Sequence, residues 1–267
     1  MSQTPAAPSD IQLDGQMFLF RKPELLTKDK HAGLGVTRPK MPFGFCAGVR
    51  AVPIVLAEIA SAQRYYPIIF SDANNPLPMA VVGLIDEVNL FVDDNGEWDQ
   101  SVYIPGYIRR YPFALAGDKS SDRMAMIIDA EFEGITDAPE TPFFQEGGEP
   151  SEAMTQAMDF CRTYERDRMV TIDFAKKFAE YDLLTTQVAQ YTPQGGEPQP
   201  FAQYVNVEEK RLNELSDEKF LELRKSNLLP VIHAAMMSMG NWRSLMDRRV
   251  RRFNLAPDQV LQPVQKQ

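Results

Sequence analysis

Tyr66-Pro-Ile-Ile-Phe-Ser-Asp-Ala-Asn-Asn-Pro-Leu-Pro-Met-Ala-Val-Val-Gly-Leu84 sets the architecture of this chain. Tyr66–Phe70 and Pro78–Leu84 are short β-prone runs, and Asn74-Asn-Pro76 between them is turn chemistry. Val88-Asn-Leu-Phe-Val92 reads as a further run, followed by Asp93-Asp-Asn-Gly96 and Trp98, with Asn95-Gly96 supplying the positive φ of a tight hairpin. Upstream, Val52–Ala60 is apolar; downstream, Phe113–Leu115 and Met124–Ile128 read as two strands around a Gly117–Asp122 turn. Short strands punctuated by turn residues predict an antiparallel β-meander in the N-terminal half.

Beyond the meander the period changes. Asp129 to Glu152 is acidic, contains Pro and Gly, and reads as a loop. Ser151 can N-cap a helix whose apolar residues Met154, Ala157, Met158, Cys161 and Tyr164 follow helical spacing. The pattern resumes at Ile172, Ala175, Phe178 and Ala179, which predicts a slip or kink near Arg166–Met169. Thr192–Pro198 breaks it, and Phe201–Val207 reads as a strand returning to the sheet. Ser216 caps a short helix with Phe220, Leu221 and Leu223, and Pro230 opens another through Ile232, Ala235, Met236, Met239 and Trp242. The expected class is α+β, with the helices of the C-terminal half packed on the N-terminal meander. Residues 1–40 read as an extended arm in which Met17-Phe-Leu-Phe20 adds an edge strand, 41–253 as a single α+β domain, and 254–267 as a tail.

Composition narrows the functions. A chain of 267 residues, 44% of them hydrophobic, can bury a sizeable core. A formal net charge of −9 argues against sequence-specific nucleic-acid binding and against anionic lipid, which an acidic body repels before contact. Two cysteines, Cys46 and Cys161, are too few for a disulfide framework. Met1–Ser9 lacks the basic and apolar regions of a signal peptide, and no apolar run reaches the roughly 18 residues of a membrane span. The expected product is soluble, made in the cytoplasm, and exported only by a signal-independent route.

Two clusters carry binding chemistry. Tyr103-Ile-Pro-Gly-Tyr-Ile-Arg-Arg-Tyr-Pro-Phe113 concentrates tyrosine, arginine and proline; Pro105 suits the first turn of a short helix over Gly106–Tyr111, which Pro112 stops. Tyr103, Tyr107, Arg109 and Arg110 can clamp a carboxylate, phosphate or sugar acid, or the same side chains can pack as a structural corner. Arg248, Arg249, Arg251 and Arg252, with Arg243 nearby, form a basic cluster that can meet an acidic partner or complement the end of its helix. Other chemistries fit poorly. Aligning Gly96 with the glycine of a calcium loop puts Phe91 and Val102 at oxygen-donor positions. His31 and His233 lie at opposite ends of the chain and make no familiar iron or zinc spacing with the cysteines. His233 borders an apolar helix face and reads as a partly buried residue. Cys46 has no nucleophile signature and reads as a small buried side chain, while Gly33-Leu-Gly35 lacks the third glycine of a dinucleotide fingerprint.

Glu58 followed by Tyr66–Phe70, Asn89–Asp93 with Gly96 and Trp98, Tyr103–Phe113, Phe160 with Phe178 and Asp182-Leu-Leu184, and Ser238-Met-Gly-Asn241 together resemble the bacterial SapC family. The resemblance is close to full length; Met41–Gly48 departs from the usual pattern. It implies association with a surface layer, or with a virion where the sequence comes from a phage, and brings no catalytic residue, metal or cofactor with it. The expected function is that of a non-catalytic structural or interaction protein working by self-assembly or through protein partners. The alternative is a binding accessory protein or enzyme taking a small molecule or sugar acid in a Tyr/Arg-lined pocket.

Overall fold

A computed structural model of the chain describes residues 17–117, 124–193, 196–256 and 259–264. In chain order the elements begin with β1 (Pro23–Leu25), α1 (Lys28–His31), β2 (Gly35–Val36), β3 (Ala51–Pro53), α2 (Ile59–Ala62), β4 (Ile68–Phe70), β5 (Pro78–Val81) and α3 (Gly106–Arg109). Then come β6 (Phe113–Gly117), β7 (Met124–Asp129), β8 (Ile135–Thr136), β9 (Thr141–Pro142) and α4 (Glu152–Glu180). The chain continues through β10 (Leu184–Tyr191), β11 (Gln199–Val207), α5 (Glu209–Asn213), α6 (Asp217–Lys225), α7 (Leu229–Met237) and α8 (Asn241–Phe253). The class is α+β with antiparallel sheets. The chain divides into two compact units, one of Met1–Pro42 with Arg109–Arg166 and one of Phe43–Ile108 with Asp167–Gln267.

The first unit holds two three-stranded sheets, ordered β1-β7-β6 and β8-β2-β9. β6 and β7 pair in the expected hairpin register, Phe113 opposite Ile128 and Leu115 opposite Met126; the turn expected at Gly117–Asp122 lies, from residue 118 on, outside the described residues. The strand at the edge of β7 is Pro23–Leu25, not Met17–Phe20. Phe18 and Leu19 form a turn in which Leu19 takes φ +70°, and Phe20 is buried against Ala114 and Ile127. The acidic connection after Asp129 is not all loop, because β8 and β9 flank β2 within it. A Cβ on Gly35 would come within 2.2 Å of the Thr141 carbonyl, so the close approach of β9 requires glycine there. Met126, Ile128, Phe143, Met154 and Cys161 form the apolar centre of this unit.

The second unit is built on a five-stranded antiparallel sheet ordered β10-β11-β4-β5-β3. β4 and β5 are the two runs quoted first above, paired Ile68 to Ala80 and Phe70 to Pro78. Val88–Val92 is not a strand: only Val92 bridges, to Trp98, around a turn in which Gly96 has φ +71°. Asn89 holds this loop instead, accepting from Phe91 N and donating to the Cys46 carbonyl. β10 is a strand that the sequence pattern did not show, and it pairs with β11 along its whole length. α7 packs against β4 and β11. It ends at Met237, where a 3-10 turn at Ser238–Gly240 redirects the chain into α8, so the expected helix through Trp242 is two helices. α4 is one continuous helix of 29 residues, with no break in its helical pattern at the slip or kink expected near Arg166–Met169. Ser151 caps it as predicted, its hydroxyl accepting from Met154 N at 3.1 Å.

Candidate functional site

The segment Tyr103–Phe113 is shared between the units, with Tyr103 to Ile108 in the second and Arg109 to Phe113 in the first. In the second unit Glu58 organises it. This buried carboxylate accepts from the Tyr103 hydroxyl at 2.7 Å, from Gly106 N at 2.5 Å and from Val55 N at 2.9 Å. The Tyr66 hydroxyl donates to the Tyr103 carbonyl, and Tyr66 stacks edge-on to Phe91, itself parallel to Trp98 at 6.1 Å. Tyr107 is buried. These contacts position the start of α3, whose short length is set by Pro105 before it and by Pro112, in a cis peptide, after it.

In the first unit the arginines lie on aromatic rings. The Arg110 guanidinium is 4.9 Å from the Tyr164 ring and 6.0 Å from that of Phe20, and the residue is 7% exposed. Arg109, exposed, has its guanidinium 5.0 Å from the Phe160 ring. The Tyr111 hydroxyl donates to Asp129 at 2.9 Å. Asp129 is a fully buried carboxylate that also accepts from the backbone amides of Arg21, Lys22 and Glu131. Burial pushes its pKa up, and the four donors outweigh it, holding the carboxyl below its usual value. Sequence reasoning missed Asp129, because the partners that make it important are 18 and more than 100 residues away.

The C-terminal arginines separate. Arg249 is fully buried; its guanidinium donates to Asp86 at 2.7 Å and to the carbonyls of Val260 and Gln262. Arg248 lies 4.3 Å over the Phe91 ring and pairs with Asp99 at 2.9 Å, and Arg252 pairs with Asp94. Arg251 and Arg243 are exposed. A shallow cavity of about 400 Å3 lies over this set, between Phe91, Trp98, Asp99 and Arg248. Another, of about 560 Å3, is lined by Gln190, Tyr191, Phe201, Trp242, Arg243 and Asp247. Trp242 forms its wall, 5.7 Å from Phe201 and 5.3 Å from Tyr204. Tyr191 and Arg243 of this second cavity are not the residues named in the sequence for a ligand pocket, and Tyr103, Tyr107, Arg109 and Arg110 do not line it.

Both cysteines are free and buried, and burial pushes the thiol of Cys46 up to about 12 and that of Cys161 up to about 11, away from nucleophilic thiolate. His31 is buried, with Nε2 2.9 Å from Glu24. His233 is exposed, contrary to the expectation of partial burial, because it lies on the side of α7 away from Ile232 and Ala235. The Asp93 turn is an Asx turn, its carboxylate accepting from Asn95 N and Glu97 N. Among the described residues no group of three or more His, Cys, Asp or Glu is placed to hold a metal ion, and no helix is long and apolar enough to cross a membrane.

No curated protein and no solved structure matches the chain. A family model described as SapC matches residues 26–245 of the 267. That span takes in Glu58, Tyr66, Tyr103 and Arg110, the side chains just described, and the chain belongs to the SapC family.

Proposed function

We propose that this chain is a non-catalytic interaction protein that works by self-association or by docking to a larger assembly, such as a surface layer or a virion. The observation that carries the reading is the use to which the family-marking polar side chains are put. Glu58 and Tyr103 fix α3; Ser238 accepts from Ile68 N at 2.9 Å; Asn241 donates to the carbonyls of Gln63 and Tyr66. Each satisfies backbone groups or a neighbouring side chain, so the polar residues that carry the resemblance to the family build a shape. A protein selected for shape acts through its surface.

On that surface Arg243, Arg251 and Arg252 of α8 are exposed, Arg252 in an ion pair with Asp94, on a body of net charge −9. Purified protein examined by multi-angle light scattering at moderate salt is expected to form an ordered assembly. Arg243→Glu with Arg251→Glu should weaken its docking to an acidic partner or second copy while leaving the melting temperature within a degree or two. Arg249→Ala should instead lower stability by about 3 kcal/mol, because it leaves Asp86 without its buried partner. A particle that stays strictly monomeric, with the surface variants indistinguishable from wild type, would count against the reading.

The cavity at Trp242 supports a second reading, a site for a small molecule or sugar acid, because an indole beside an arginine and a carboxylate offers stacking and charged hydrogen bonds together. A thermal-shift screen of sugar acids and 2-oxo acids, followed by indole fluorescence titration of any hit, tests it. Trp98 is buried, so a ligand-dependent signal should vanish in Trp242→Phe. The absence of any stabilising compound removes the reading.

A further inference from the structure

The five-stranded sheet of the second unit ends differently on its two sides. At one edge β3 is three residues long and contains Pro53, two features that blunt strand pairing. At the other, β10 runs eight residues, Leu-Thr-Thr-Gln-Val-Ala-Gln-Tyr, without a charge or a proline, in a chain that is 24% charged. Its orientation follows from one bond. Glu208 N donates to the Leu183 carbonyl, so Thr185, Gln187 and Ala189 turn their backbone groups toward β11. The backbone groups of Thr186 and Val188 point to the open edge, and both residues are exposed, Val188 at 46%. At the start of the strand Arg211 donates to the Leu184 carbonyl, and a register shift after Ala189 disturbs the far end. The open part of the edge is therefore centred on Gln187.

We propose that this edge pairs with the same edge of a second copy, antiparallel about a two-fold axis at Gln187, so that the two sheets become one. Thr186 of each copy exchanges both backbone bonds with Val188 of the other, and the two Gln187 side chains face each other. The occupant is a second copy because the strand is self-complementary. Each copy carries −9 overall, yet a two-fold through an uncharged strand places no like charges opposite one another. Neighbouring strand edges on soluble proteins are normally defended by lysine or proline, and this one is left undefended over its exposed centre. The inference rests on the self-association reading above and names its surface.

The test compares the wild-type chain with Val188→Lys, Val188→Pro and Gln187→Cys by sedimentation across a concentration series, with melting curves beside it. Wild type is expected to dimerise. Val188→Lys puts a charge at the joint, and Val188→Pro removes an edge donor that makes no bond to β11; each should weaken the dimer by roughly tenfold or more with little change in melting. Gln187→Cys should give an inter-chain disulfide under mild oxidation, since directly opposed residues bring their Cβ atoms close and both native thiols are buried. A dimer that both Val188 variants leave intact, with no cross-link at position 187, overturns the edge assignment and leaves self-association standing. A wild-type chain monomeric at every concentration overturns both.

Discussion

Asp129 shows how one side chain can outweigh a motif. It receives the Tyr111 hydroxyl and three backbone amides, in a site where water cannot replace any of them. Asp129→Asn keeps the volume but exchanges an acceptor oxygen for a donor facing other donors. The expected cost is about 2 kcal/mol or more, read as a lower denaturant midpoint at unchanged slope. The same carboxylate makes stability depend on pH in a definite direction. Its folded pKa lies below its unfolded one, so near and below pH ~4 the unfolded chain binds the extra proton. Its contribution is complete above that range and is lost as the pH falls through the folded value. Melting temperatures recorded from pH 7 down to pH 3 should therefore fall less steeply in Asp129→Asn than in wild type; parallel curves would assign the acid sensitivity to other carboxylates. Arg110 carries the opposite lesson. Its place in the sequence advertised a ligand clamp, and its rings, Tyr164 and Phe20, lie far away in the chain, where no local pattern could announce them.

At the scale of elements, what was legible followed local chemistry. The β4–β5 and β6–β7 hairpins, the serine caps of α4 and α6 and the proline-bounded α3 all follow from turn and cap residues within a few positions. Two of the misreadings, in α4 and at β10, arose where polar residues interrupt the apolar pattern. In α4 the buried residues recur at Met154, Cys161, Tyr164, Thr171, Ala175 and Phe178, an unbroken helical period. Thr171 hides it. Its hydroxyl donates back to the Asp167 carbonyl at 2.7 Å and accepts from Leu56 N at 2.9 Å, so a polar side chain sits at a core position with its polarity satisfied. Thr171→Val should cost about 1–3 kcal/mol by leaving Leu56 N without an acceptor, and Thr171→Ser should recover most of it; a Thr171→Val variant as stable as wild type, with Thr171→Ser the weaker of the two, would mean that the methyl group, not the hydroxyl, matters there. β10 was invisible for the related reason that Thr, Thr, Gln and Gln dilute both periods, and only its pairing with β11 reveals it.

For the whole molecule the decisive quantity is charge, because the two kinds of association proposed here respond to salt in opposite ways. Edge-to-edge pairing of β10 brings together two bodies of −9 through a neutral strand made of backbone hydrogen bonds. Salt screens the mutual repulsion, the Debye length falling from roughly 10 Å at 0.1 M to about 3 Å at 1 M, and leaves the short-range bonds largely untouched. The homodimer should therefore tighten as salt is raised across that range. Docking through Arg243 and Arg251 to an acidic surface behaves the other way, since the attraction itself is screened. Sedimentation of the wild type and of Val188→Lys at both salt concentrations separates the two. Tightening in wild type that is lost in Val188→Lys identifies the strand edge as the self-association surface; association that weakens with salt and is unaffected by Val188→Lys assigns it to the arginines of α8.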